Sequence, residues 1–556
     1  MAPKRKHRPP PINYSSLETA ATASLDSDEW LQEGIHQESQ GDRYQHGAKA
    51  ARHYRNSIVS YQLAASQSTN SMFDPVYNAA RIMFTLASDH LEALDCVDMM
   101  RRAIATFRMA QTAASATDEV IDSSFNLAQA LIALQDLYDD GISIFLSSSK
   151  ALSSAAMVSD YASLFEAKRL FTQVEQLQRT ALDQMFREGP TSTPPEVDMQ
   201  DVSVEENMAG PASAVSALTA GSTHTRPATE SRIVVPRQVI DTLLEAIELD
   251  LHLLDLFNPS KYPTGDTLAE SAISKLSRAI ELSRLDPSSS SAELELTMAQ
   301  ISVNTSCRGA LSSGDALYLP PEQVYTTFQA LALSRQADPS LLCTFADHLL
   351  ENSVVPASSI PQLETVLSTY QRAHALLSSR LSPPKDVPAH RIPSLVASNL
   401  VSQVETLLLL FHLAPDRNVA YLHQAQVQAV EAIKASSYGY TIELSPTLRI
   451  LKLPGDGRRD WTTLKAFRQG WFWLVRVLVH LDMCVEPQAS ASGAAGSDRW
   501  TCLLRGWDKV SPPIESASGW KSHLRWFLGN QEWSNDRVWE SSQGNEEDRW
   551  SRVLMG

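Results

Sequence analysis

Between residues 28 and 187, small and bulky side chains fall at helical steps in three separate places. The first runs Glu29-Trp30-Leu31-Gln32-Glu33-Gly34, then Gly41-Asp42, then Ala50, Tyr54 and Ser57. The second runs Val76-Tyr77-Asn78-Ala79-Ala80 to Met83, then Ala103, Phe107 and Ala110. The third runs Ser124-Phe125-Asn126-Leu127-Ala128 to Leu131, with Gly141 opening a further apolar run. Steps of three and four place these residues on one helix face. There a small residue lets a second helix approach, and an aromatic ring fills the gap. The pattern predicts helix pairs, followed by a long helix over Tyr161–Arg187 with Leu164, Leu170, Val174 and Leu177 along one side.

The same spacing returns after a break. From Pro236, Val239, Leu243, Leu244, Ile247 and Leu251 predict a helix to about Phe257. Ala272, Leu276 and Ala279 predict one over Thr267–Leu285, stopped by Asp286-Pro287. Helices over Ala292–Leu311, Pro321–Gln336 and Leu341–Asn352 follow, the last with Leu342, Phe345, Ala346 and Leu349 on one face. Val366, Tyr370 and Ala373 supply its partner, and Ser394–Ala414 and Val419–Ala435 continue the array. Thr441–Leu453 alternates weakly and reads as a short extended piece, with a turn at Gly455–Arg459. Trp461–Val485 reads as an apolar helix capping the array, which needs a cap because each repeat buries its face only against a neighbour.

The small-x3-aromatic-x2-small pairs and the Trp30, Gly34, Gly41-Asp42, Ala50, Tyr54 and Ser57 slots resemble the tetratricopeptide repeat, whose period is roughly 34 residues. The first unit carries an insertion around Arg43 to Gly47, the second a longer one, and the closing proline is absent from all three. The resemblance implies an all-α fold, an α-solenoid of antiparallel helix pairs, and a binding role without catalysis. In some members of that family a carboxylate clamp holds a chaperone's acidic C-terminus. Here Leu31, Ile35, Asp122 and Asn126 stand where clamp residues would be, and only Asn78 matches, so a chaperone-tail adaptor is not expected.

The domain reading is a basic disordered arm over 1–27, repeats over 28–187, and an acidic Pro/Ser linker over 188–233. A second helical block spans 234–440, the extended piece and capping helix 441–487, and a Trp-rich extension 488–556. A net charge of −17 argues against broad nucleic-acid or membrane-surface binding and suits a basic protein partner, although it also simply aids solubility. The five cysteines lie far apart with no CxxC, which fits reduced thiols and suggests neither zinc nor disulfides. Val404–Ala414 is too short for a membrane span, Ala466–Val485 carries Arg468, Arg476, His480 and Asp482, and the polar N-terminus lacks a signal-peptide core. Walker, GxGxxG, HExxH and GxSxG motifs are missing, so no catalytic residue, metal or cofactor is expected.

Two features point toward a cellular role. Lys4, Arg5, Lys6 and Arg8 resemble a nuclear-import signal, which places the chain in the nucleus, with the cytoplasm as a second location. Trp520, Trp526, Trp533 and Trp539, spaced near two helical turns, are docking candidates or else pack on the protein's own body. The expected function is a scaffold or assembly chaperone, with a basic client such as a ribosomal protein as candidate. A chaperone of that kind should show acidic residues lining its groove. The alternative, an enzyme with an unrecognised site, predicts perturbed titratable groups in a deep closed pocket.

Overall fold

The computed structural model describes residues 25–68, 72–91, 93–139, 161–188, 234–256, 265–285, 292–307, 309–312, 314–335, 337–352, 360–379, 391–414, 418–436, 440–443, 449–452 and 460–489. Among them are fifteen helices and one two-stranded hairpin. In chain order these are α1 (Ser27–Tyr44), α2 (Ala48–Gln67), α3 (Phe73–Asp89), α4 (Ala93–Ala113), α5 (Thr117–Asp139), α6 (Ala162–Glu188), α7 (Pro236–Leu256) and α8 (Gly265–Leu285). Then come α9 (Glu293–Ser306), α10 (Pro321–Ser334), α11 (Pro339–Asn352), α12 (Ile360–Leu377), α13 (Ile392–Leu413), α14 (Val419–Ser436), β1 (Tyr440–Glu443), β2 (Arg449–Lys452) and α15 (Trp461–Ala489). Most of the described helices pack chiefly on their neighbours in sequence, the arrangement of a helical repeat protein. Contacts divide the chain into two units. One runs through Leu91 and continues over Asp95–Ala130, and the other takes the chain from Leu131 onward, so the division falls within α5.

In the first unit, α1 begins with a capping box. Asp26 accepts from the Glu29 backbone N–H at 2.9 Å, and the Glu29 carboxylate accepts from the Asp26 N–H at 3.0 Å. Gln45 (φ 56°) and Gly47 (φ 92°) reverse the chain, and α2 returns antiparallel along α1. Small residues set the separation of the two helices. A Cβ on Gly34 would lie 2.5 Å from ring carbons of Tyr61, and one on Gly41 would lie 2.6 Å from the ring of Tyr54. The hydroxyl of each ring needs a partner once buried. Tyr54 donates to Asp42 and Tyr61 to Glu38, each at 2.8 Å, and Ser57 donates to the Gly34 carbonyl at 2.8 Å. Arg81 of α3 completes the set with a 2.6 Å ion pair to the buried Glu38. Trp30, Ala50, Tyr54, Ala79, Met83, Ala103, Phe107, Ala110, Ala128 and Leu131 are all buried, as their helical spacing predicts.

The second unit repeats the device. Tyr370 of α12 hydrogen-bonds to Asp347 of α11, and Val366 and Ala373 beside it are fully buried. Residues 23 apart are joined in this contact, as in Tyr61–Glu38. Upstream, the fully buried Asp250 of α7 binds Lys168 of α6 at 2.5 Å, Lys275 of α8, and the Ser271 hydroxyl at 2.7 Å. One carboxylate thus joins three helices, and an ion pair between Arg278 and Glu175 reinforces α8 against α6. The sequence reading groups α6 with the first block, whereas α6 packs on α7.

Three expectations change. The helix predicted to reach Leu311 ends at Ser306, and the buried Asn304 side chain ties the returning chain to it, donating to the Leu317 carbonyl at 2.9 Å and accepting from the Leu319 N–H at 2.7 Å. The returning chain there carries Leu311 and Leu317 into the same core, so the apolar pattern outlasts the helix. The extended piece is an antiparallel hairpin pairing Tyr440 with Lys452 and Glu443 with Arg449. Third, α13 as a whole is long and apolar enough to cross a membrane, but 72% of that window is buried inside the protein. Leu407, Leu408 and Leu410 share a core with Leu422, Ile433, Trp471 and Leu478 of α14 and α15. Counting only the continuous apolar run misses Asn399, Gln403 and Thr406, which are buried and satisfied by Gln403–Asn399 and Thr406–Ser402 hydrogen bonds. In α15, Arg468 and Arg476 are buried as well, with guanidinium groups 5.9 Å from the Trp461 ring and 5.0 Å from the Trp473 ring.

Removing the Tyr54 ring by Tyr54→Ala should cost about 3–5 kcal/mol in urea unfolding, with Tyr54→Phe costing much less. Asp250→Ala should cost roughly 3–5 kcal/mol, because Lys168 and Lys275 are left facing each other without their shared counter-ion.

Candidate functional site: an acidic face on α7

Helix α7 has two faces of opposite character. Val239, Ile240, Leu243, Ala246, Ile247 and Leu251 are buried against α6, α8 and α9. Asp241, Glu245, Glu248, His252 and Asp255 follow at steps of four, three, four and three. That sequence of steps keeps side chains on one helix face, here over about 21 Å of helix length.

The carboxylates on this face are crowded and short of cations. Arg237 binds Asp241 at 2.7 Å and bridges to Glu295 of α9 at 3.3 Å, so its charge is shared between two acids. Among the described residues no ion pair or hydrogen bond reaches Glu245 or Glu248. Burial, then repulsion from Glu248 and Asp241, raises the Glu245 carboxyl to about 7. Burial also raises Asp241, against the pull of Arg237, and Asp255, against the pull of His252. Glu248 is exposed, yet desolvation still holds its carboxyl above the ordinary carboxylate range. Such a surface gains most from a cation that replaces the missing water.

The residues singled out from sequence fall elsewhere. Lys4, Arg5, Lys6 and Arg8 lie outside the described residues, as do Trp520, Trp526, Trp533 and Trp539. Of the clamp positions, Asn126 is used internally, donating to the Tyr77 hydroxyl at 2.9 Å and to the Asp122 carbonyl at 2.8 Å. The α7 acids escaped the sequence reading because only apolar positions were followed there. Their own spacing carried the signal, since like charges at steps of three and four mark a single solvated face. A cavity of about 300 Å³ lies far along the chain, between α14 and the hairpin, so the perturbed carboxylates and the cavity do not coincide.

No family model matches the chain, and no curated protein matches it. Among solved structures, the chain is similar to the S. pombe nuclear import adaptor Nro1, at 10% identity and a TM-score of 0.25, covering 76% of this chain and 97% of that one. It is also similar to a circular tandem repeat protein with novel repeat topology, at 13% identity and a TM-score of 0.21, covering 93% and 96%.

The raised Glu245 carboxyl fixes a pH dependence. Its folded value, about 7, lies above its ordinary 4.5, so between these values the folded chain binds the extra proton. Stability should therefore fall as pH rises through that window and level off above it. Glu245→Gln should flatten the slope and gain about 1–2 kcal/mol at pH 8 relative to pH 5, the full shift being reduced by solvent screening. Urea midpoints of both proteins at the two pH values measure this.

Proposed function

We propose that this chain is a non-catalytic, tetratricopeptide-like scaffold or assembly chaperone whose acidic α7 face receives a basic segment of a protein partner. The observation that supports this is the row of Glu245, Glu248 and Asp255 beside the shared Asp241–Arg237–Glu295 group, which leaves net negative charge on a partly exposed helix face. Lysine or arginine side chains would relieve the mutual repulsion and supply the missing counter-charge. Phosphate backbones would be repelled, so the partner is a protein. A ribosomal protein is a candidate of suitable charge. The Lys4, Arg5, Lys6 and Arg8 cluster supports a nuclear site of action.

The reading favours binding over catalysis because the perturbed carboxylates form a row of like charges on an open helix face. A general acid would instead sit at a fixed distance from a reacting group.

Affinity purification of the tagged full chain, at low and moderate salt, tests the proposal against a Glu245→Gln/Glu248→Gln variant. The wild type should recover a basic protein near stoichiometry and lose it as salt rises, because partly exposed charge pairs are screened. The variant should bind that partner at least about tenfold more weakly. Equal recovery by the variant, or a partner set indifferent to salt, would sink the reading.

A further inference from the structure

Helix α2 runs against the charge of the whole protein. The chain has a net charge of −17, yet α2 carries Lys49, Arg52 and Arg55 and contains no aspartate or glutamate. Steps of three keep these cations on one helix face, within about 9 Å of helix length. All three are exposed, as is Arg43 at the end of α1. Folding of the helix does not account for the pattern. Lys49 stands in the first turn, where the helix dipole disfavours a cation, and no acidic residue shares that turn.

No described residue neutralises this face. Among the described residues no ion pair or hydrogen bond reaches Arg52 or Arg55. Lys49 contacts a ring instead of an acid, its Nζ lying 5.4 Å from the centre of Tyr44. That ring is 43% exposed and stacks on His53 at 5.4 Å, so the cation over it is held in place. Asp42, the acid nearest in sequence, accepts from the Tyr54 hydroxyl, and the charges that act on it are those of Glu38 and Arg81. At His53, burial and then the charges of Arg52 and His36 push the imidazole below its ordinary value, with no acid to offset them. Residues 1–24 contain Lys4, Arg5, Lys6 and Arg8 against one acid, Glu18, so that part of the chain has the same sign as the face.

We propose that this face of α2 is a docking site for an acidic segment of a partner protein, whose aspartate or glutamate side chains pair with Lys49, Arg52 and Arg55. Carboxylates relieve the mutual repulsion of the cations and form charge-assisted hydrogen bonds with the two guanidinium groups. Length and charge select a protein over a nucleic acid. A row of cations about 9 Å long meets few phosphates, and the rest of a strand would lie against a protein of net charge −17. A short acidic segment places its whole charge on the cations. The face uses no residue of α7 and does not depend on the acidic row there.

The probe is a rhodamine-labelled peptide, Gly-Ser-Glu-Glu-Asp-Glu-Glu-Asp-Ser-Gly, titrated with the full-length protein at low salt and read by anisotropy. Arg52→Gln/Arg55→Gln should weaken binding at least about tenfold and Arg52→Glu/Arg55→Glu further, while the thermal melt stays unchanged because both side chains are exposed. Arg52→Lys/Arg55→Lys should keep most of the binding, and Glu245→Gln/Glu248→Gln should keep all of it. Equal binding by both arginine-removing variants, or no saturable binding by the wild type, overturns the proposal. So does a rhodamine-labelled oligothymidylate strand that binds more tightly than the peptide and is lost with the same variants, since the face then belongs to nucleic acid. A photoreactive benzoylphenylalanine at Asn56, between the two arginines in sequence, identifies the occupant. A cross-link to the peptide supports the site, whereas one within the chain or to a second copy that the peptide does not displace overturns it.

Discussion

Close approach of paired helices is the constraint on which the rest of this structure depends. In the first unit α1 and α2 come together where one offers a small residue to a ring on the other, as Gly34 does to Tyr61 and Gly41 to Tyr54. The ring brings a hydroxyl into the interface, and a buried hydroxyl without a partner is costly. Hence Glu38 and Asp42 sit opposite the two tyrosines, and Arg81 is drawn from the next helix to balance Glu38. Packing, hydrogen bonding and charge are thereby coupled in one contact, and the Tyr370–Asp347 pair shows it again in the second unit.

Charge is distributed unequally along α7 for a related reason. Asp250 points inward and is saturated by two lysines and a serine, so it joins α6, α7 and α8. Asp241, Glu245, Glu248 and Asp255 lie on the other face, where Arg237 is the available internal counter-ion and is already shared with Glu295. Identical chemistry thus serves cohesion on one face and leaves unbalanced charge on the other. Desolvation makes that imbalance energetically significant, since a fully hydrated row of carboxylates would show little of the upward shift at Glu245.

The α13–α15 region illustrates how local pattern and environment can diverge. Taken by composition, α13 is apolar enough for a bilayer, and α15 carries arginines that a bilayer would reject. Both occupy the same protein core. Buried Gln403 and Thr406 bond within α13, Asn399 accepts from Gln403 and donates to Cys343 Sγ of α11, and Arg468 and Arg476 lie near the faces of Trp461 and Trp473. A core surrounded on all sides can hold polar groups at positions where an isolated helix would expose them.

The sequence by itself determined most of the helices and the apolar positions that they bury. Side chains spaced at three and four must share a face whatever surrounds them, so Trp30, Tyr54, Phe107, Leu276, Phe345 and Tyr370 were legible as core. Helix ends were less legible where the apolar pattern continues past the helix, as it does after α9, where Leu311 and Leu317 of the returning chain enter the same core. The tertiary structure alone decided which carboxylates are neutralised. Asp250 and Glu248 are two residues apart and look alike as letters, yet one faces two lysines from different helices and the other faces solvent. Coulomb interactions depend on distances through space, and those distances exist only once the helices have docked.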